Sequence, residues 1–187
     1  MRDRITAALI AAMLILGGVL FAQSSVIGQA ADDNTQISQN IERPSTVIAA
    51  ARSDKELSDF TRNVEKGLMV QALEGNGPMT VFAPTNEAFA ACAESDRQKL
   101  ADGKKLQMVL QYHVVPGRAL TQADLLKMNG ERLTTVQGDE LAIVVENNTV
   151  WVGSAKLTGK EELTNNGVVH QVDDVLIPPM LLSRSTK

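Results

Sequence analysis

Two histidines, one cysteine and an Asp-Asp pair are the places where this chain could hold a metal or move a proton. His113, His170 and Asp173 make a plausible donor set, since a catalytic zinc centre takes three such ligands and keeps one position open. Their spacing does not favour it. The chain contains no His-x-x-x-His and no Cys-x-x-Cys pair, so the three would have to converge from separate segments. Asp173 and Asp174 are neighbours, and adjacent side chains in a strand point to opposite faces, so these carboxylates cannot act on one atom. Cys92 stands among Ala90, Ala91 and Ala93, the setting of a buried, inert thiol. A serine nucleophile needs a base and a strand-turn-helix elbow, and Gly153-Ser154-Ala155 has neither pattern nor context. No glycine-rich phosphate loop is present. The reading is a non-catalytic chain without metal or cofactor. The alternative is a small-molecule or metal-binding protein or enzyme using His113, His170 and Asp173. In an extended segment Val168, His170 and Val172 share one face, while Val169, Gln171, Asp173 and Val175 share the other. A histidine among apolar neighbours is expected to be a hydrogen-bonded core residue, and both His113 and His170 are read so.

The elements that position these residues change character along the chain. Ser45 is expected to cap a helix through Thr46–Ala50. Ser53-x-x-Glu56 reads as a capping box, in which serine oxygen and glutamate satisfy orphan amides reciprocally. Leu57, Phe60 and Val64 then form one apolar stripe, with Gly67 as its C-cap. A further helix spans Leu68–Leu73. Met79–Ala83 is a strand stopped by Pro84, and Thr85 caps the next helix. Ser95-x-x-Gln98 is a second capping box, and Leu106, Val109 and Leu110 mark another helix. Tyr112–Val115 is read as a strand ended by Pro116-Gly117, and Thr121-x-x-Asp124 opens a short helix. From Leu133 onward the chain is mostly β. Leu141–Val145 is apolar on both faces, Asn147-Asn148 is a turn, and Val150-Trp151-Val152 returns as a hairpin arm. Asn165-Asn166-Gly167 is another turn, and Val168–Ile177 the last strand. Helices first and strands later, without βαβ alternation, give an α+β class.

The chain begins with a basic start, Met1–Arg4, then a charge-free run from Ile5 to Ala22 and a small-residue site at Gly28-Gln29-Ala30. This order is that of an export signal, and the run is also long enough to stay as an N-terminal anchor. Residues 1–30 are thus expected to be signal peptide or anchor, 31–43 a polar spacer, 44–179 one domain and 180–187 a frayed tail. Of the 187 residues, 44% are hydrophobic but only 3% aromatic, so the core is aliphatic. The net charge is −4, which gives no support to nucleic-acid binding. One cysteine permits no internal disulfide. Trp151 is the only tryptophan; facing outward it would be a binding anchor, and otherwise it covers the hairpin.

Three segments carry a resemblance when taken together: Thr80–Phe89, Tyr112–Gly117 and Asn166–Pro178. In this order and spacing the chain resembles the fasciclin-like domain family over roughly Thr46 to Pro179. The resemblance implies a β-wedge of two sheets with a helical layer packed along one side. It also implies a secreted, periplasmic or cell-envelope module for adhesion or matrix binding. Its partners would be a surface or matrix protein or a polysaccharide, with the membrane engaged only through the N-terminal segment and the domain acting as a monomer. Thr80, Phe82, Pro84, Thr85, Tyr112, His113, Trp151, Gly167, His170 and Asp173 are the motif residues and candidate contacts. Two departures stand out. The family's His-Val-Ile-Asp run is His170-Gln171-Val172-Asp173 here, and Lys160-Glu161-Glu162 replaces a short Asp-Ile segment. Integrin binding is therefore not carried over.

Overall fold

The computed structural model describes residues 46–182. The export segment, the spacer, Ser45 as a cap and the end of the tail lie outside them. In chain order the helices are α1 (Val47–Ser53), α2 (Ser58–Lys66), α3 (Val70–Glu74), α4 (Asn86–Ala91), α5 (Glu94–Ala101), α6 (Gly103–Tyr112) and α7 (Gln122–Leu125). The strands are β1 (Met79–Pro84), β2 (Val114–Pro116), β3 (Arg132–Thr134), β4 (Glu140–Glu146), β5 (Thr149–Val152), β6 (Ala155–Leu163) and β7 (Gly167–Val172). They pair in the order β2-β1-β7-β6-β5-β4-β3 as one seven-stranded sheet. β1 and β7 run parallel, while the other pairs are antiparallel. The register of β6 on β7 shifts between Leu157 and Glu161. At the far edges the Val136 N–H donates to the Val114 carbonyl at 2.8 Å, which nearly closes the sheet on itself.

Alternate residues of the central strands feed two cores. Val81, Ala83 and Val169 pack under the helices with Ile48, Phe60, Val64 and Leu106. Phe82 and Val172 point into the curl of the sheet with Leu125, Leu141, Ile143 and Val152. Every residue of β1 and β7 is therefore buried, as expected of strands covered on both faces. The α+β class with a helical layer along the sheet is the observed architecture.

Several local expectations give way to competing bonds. Thr46 caps α1 through the Ala49 amide. The Ser53 hydroxyl donates to the Ala50 carbonyl at 2.7 Å, so no capping box forms with Glu56. Asp54 caps the following 3-10 turn, Lys55–Leu57, instead. α5 begins at Glu94 with Ala93 at its cap position, so the Ser95 box is not made either. The Thr121–Asp124 box does form. Tyr112 and His113 are not strand: α6 continues through Tyr112, and the His113 Nδ1–H donates to the Val109 carbonyl at 2.7 Å, holding the last helical turn against the β preference of Val114-Val115. β4 is buried on one face only, and Val144 is exposed on the other. β7 stops at Val172 rather than Ile177. The Asp173 N–H still donates to the Lys156 carbonyl, but the Lys156 and Val175 amides are taken by the Asp173 and Asp174 carboxylates, so side-chain oxygens end the ladder. β6, with nine residues, is the longest strand among the described residues. The tail is ordered at its start as a 3-10 turn, Pro179–Leu181.

Gly67 ends α2 as expected, but the left-handed residue is the next one. Leu68 has φ 55° and is 85% exposed. Its N–H bonds the Glu65 carbonyl and that of Met69 bonds Val64, the Schellman pattern with leucine where glycine is usual. Left-handed backbone costs a branched side chain about 1–2 kcal/mol. Leu68→Gly is expected to raise stability by about 0.5–1 kcal/mol after the greater chain entropy of glycine is subtracted. Urea denaturation would check this.

Candidate functional site

Each motif residue has a position that its neighbours enforce. Thr80 is fully buried; its hydroxyl donates to the Arg118 carbonyl at 2.8 Å and accepts from the Leu120 amide at 2.9 Å, clipping the loop after β2 onto β1. Two residues on, Phe82 stacks on His170 with ring centroids 5.8 Å apart. Pro84 closes β1, and the Thr85 hydroxyl accepts from the Ala88 amide at 3.2 Å to start α4. Thr85→Ala is expected to cost about 1 kcal/mol; an unfolding midpoint equal to the parent's would show that the cap contributes nothing.

The two histidines do not form a site together. His113 is 1% exposed; besides its bond to Val109, its Nε2 accepts from the Leu176 amide at 3.1 Å. Both nitrogens thus tie α6 to the segment after β7, and burial pushes the imidazole pKa down to about 4. His170 is fully buried and its Nε2–H donates to the Leu120 carbonyl at 2.7 Å. Its Nδ1 has no hydrogen-bond partner and lies 3.9 Å from Glu161. Burial lowers this pKa as well, against smaller opposing effects of the Leu120 bond and Glu161. Asp173 is exposed and caps Lys156. No two of these three residues share a bonding partner. Among the described residues no group of three or more His, Cys, Asp or Glu side chains is placed to hold a metal ion. The Tyr112 hydroxyl donates to the Glu140 carbonyl at 3.2 Å from a buried ring, and burial raises its pKa. Cys92 is a buried free thiol whose pKa burial also raises, as its alanine-rich surroundings implied.

Gly167 is required by a close approach. A Cβ built there would lie 2.2 Å from the Met79 carbonyl oxygen, so β7 can sit beside β1 only with glycine at that point. This is the geometry of the third motif, and the sequence match agrees: the fasciclin domain model covers residues 55–178.

The chain belongs to the fasciclin domain family.

Protein sll1483 of Synechocystis sp. is 34% identical over 84% of this fasciclin-domain chain and 82% of its own length. Cell surface glycolipoprotein MPB83 of Mycobacterium bovis is 35% identical over 71% of this chain and 60% of its own. Transforming growth factor-beta-induced protein ig-h3 of Sus scrofa is 33% identical over 72% of this chain, which spans only 19% of that larger protein. Among solved structures, the FAS1 domain pair of the insect cell adhesion molecule Fasciclin I matches with a TM-score of 0.58 and 18% identity, over 75% of this chain and 53% of that one. That likeness is one of fold.

Two asparagines of this fasciclin domain do more than their motif and turn positions announce. Asn166 is 9% exposed. Its Oδ1 accepts from the Val47 amide at 2.8 Å and the Thr164 hydroxyl at 3.1 Å, and its Nδ2 donates to the Leu73 and Gly75 carbonyls at 2.9 and 2.8 Å. One side chain thus joins the start of α1, the end of α3 and the β6–β7 turn. Asn86 does the same at smaller scale: its Oδ1 accepts from the Asp59 amide and its Nδ2 donates to the Lys55 carbonyl, both at 2.9 Å. The only signal for either was an asparagine beside a motif glycine or threonine. Trp151 is half-buried on the outer sheet face, in a cross-strand row with Val144 and Lys156.

Proposed function

We propose that this fasciclin domain is a non-catalytic binding module that acts outside the cytoplasm, at the cell surface or envelope, in adhesion or matrix attachment. The observation that carries the proposal is the family membership, with relatives named as a cell surface glycolipoprotein and a structural counterpart from a cell adhesion molecule. The chemistry of the interior supports it. Three of the four imidazole nitrogens bond backbone groups, and the motif residues hold strands, turns and caps rather than lining a reaction centre. The partner is a surface or matrix protein or a polysaccharide, met by a monomer. Any tether to a membrane runs through the N-terminal segment; among the described residues no helix is long and apolar enough to cross one. The test is a binding array of the folded protein against envelope proteins, matrix proteins and glycans, together with N-terminal sequencing from membrane and soluble fractions. Saturable binding in the array with the protein found outside the cytoplasm is the expected result. Silence across the array from a folded sample, or a cytoplasmic location, would sink the reading.

A further inference from the structure

A cleft opens between the Lys55–Leu57 turn, α4 and the outer side of β6. It has a larger part of about 630 Å³ and a smaller one of about 310 Å³, and Lys160 and Gln171 border both. The register shift in β6 creates the room. Leu157 pairs with Val172 and Glu161 with His170, so residues 158–160 of β6 stand opposite the single residue Gln171. We propose that this cleft binds lysine or arginine side chains presented by an extended segment of a partner protein. The proposal rests on the binding-module reading above and adds to it the site and the class of partner.

Three observations carry it. Gln171 is only 4% exposed on an otherwise apolar face of β7. Its amide donates to the Asp54 carboxylate, and among the described residues its carbonyl oxygen accepts from nothing. That oxygen is not among the enclosed unpartnered atoms, so it is open to the cleft and can accept from an incoming donor. The second observation is charge. In the larger part Glu56, Glu87 and Asp173 outnumber Lys55 and Lys160; in the smaller one Asp54, Glu161 and Glu162 face Lys160 alone. A cleft of one dominant sign concentrates ligands of the other. The third is Lys160 itself, whose ammonium bonds Glu56 across the cleft. The cleft already holds one alkylammonium supplied by its own wall, and an incoming base competes with it for that carboxylate. Among the described residues no aromatic side chain lines either part, so they offer no stacking surface of the kind a sugar ring would use.

The test is fluorescence anisotropy of a labelled hexa-arginine peptide with the full chain, at 50 and 300 mM NaCl. Saturable binding that weakens at the higher salt is expected. Glu87→Gln combined with Glu162→Gln, two side chains without hydrogen bonds among the described residues, should weaken it about tenfold. The charge-matched pair Glu131→Gln and Glu146→Gln, away from the cleft, should leave it unchanged. Lys160→Ala should tighten binding several-fold, whereas Lys104→Ala, with the same charge change elsewhere, should not. Absence of saturable binding overturns the proposal. So does equal weakening by both glutamate pairs, which would mean diffuse attraction, while a positive array would leave the binding-module reading intact. Binding of a neutral saccharide abolished by Gln171→Leu, in place of peptide binding, would assign the cleft to a glycan and overturn the proposal too.

Discussion

An Asn166→Asp variant will unfold at much lower denaturant than the parent protein at pH 7, with a loss of about 3–4 kcal/mol. The substitution keeps shape and volume, and it keeps the oxygen that accepts from Val47 and Thr164. It replaces the amino group that donates to the Leu73 and Gly75 carbonyls with a second carboxylate oxygen. Two buried carbonyls lose their donor and meet a negative charge in its place. Each unsatisfied buried group costs about 1–3 kcal/mol, and more where a charge is involved. Burial and the facing carbonyls favour the protonated acid, which can donate one of the lost bonds. The deficit relative to the parent should therefore shrink as the pH is lowered toward 4. Asn166→Ala removes all four bonds and will show a deficit that hardly varies with pH. Urea titrations at pH 7 and pH 4 measure both; a deficit below 1 kcal/mol for the aspartate variant would mean that the network does not hold the helices to the turn.

The second large effect is acid lability. His113 is neutral in the fold with a pKa of about 4, against the ordinary 6.5. Between these values the unfolded chain binds a proton that the folded chain refuses, so stability falls as the pH drops from about 6.5 to about 4 and the His113 contribution levels off below that. At 1.36 kcal/mol per pH unit this is a loss of about 3 kcal/mol from one side chain. His170, shifted in the same direction by its burial, adds to the loss as the pH falls. The physical cause is burial, which denies the charged imidazolium its solvent; a proton on Nε2 would besides face the Leu176 N–H that this nitrogen now accepts. His113→Asn retains a donor toward Val109 and does not titrate. Denaturation midpoints taken from pH 7 to pH 4 should fall less steeply for the variant than for the parent, although the variant starts lower. Parallel curves would assign the acid lability to other groups.

These two residues show unequal legibility. His113 was readable as a bonded core histidine, because a polar ring beside Val114 and Val115 has few other fates. Its partner was not readable, since Leu176 lies far along the chain and comes near only when α6 ends beside the segment after β7. The strand assigned to Tyr112–Val115 was displaced for a local reason: the His113 side chain bonds the carbonyl of Val109, one helical turn back, and this outweighed the β preference of its neighbours. Asn166 was visible as a turn residue and nothing more. Its four partners come from three separate elements, and no local pattern announces such a meeting. Gln171 stood out in the sequence as a departure from its family, but only the shift in β6 showed that it faces a cleft.

The order of apolar and turn residues, acting over short distances, was enough to set most helix and strand types, the Thr85 and Thr121 caps and the Asn147-Asn148 turn, whose two residues do take positive φ. The motif pattern was enough to place the chain in the fasciclin domain family. These are properties of neighbours in the chain, where a cap or a turn needs only three or four residues to form. Tertiary structure decided what lies across gaps in sequence: the parallel seating of β1 on β7 that only Gly167 permits, the separate bonding of His113 and His170, the hub at Asn166 and the acidic cleft beneath Lys160. Each joins residues tens of positions apart, and their energies depend on burial and on distances that exist only once the sheet has curled and the helices have packed against it.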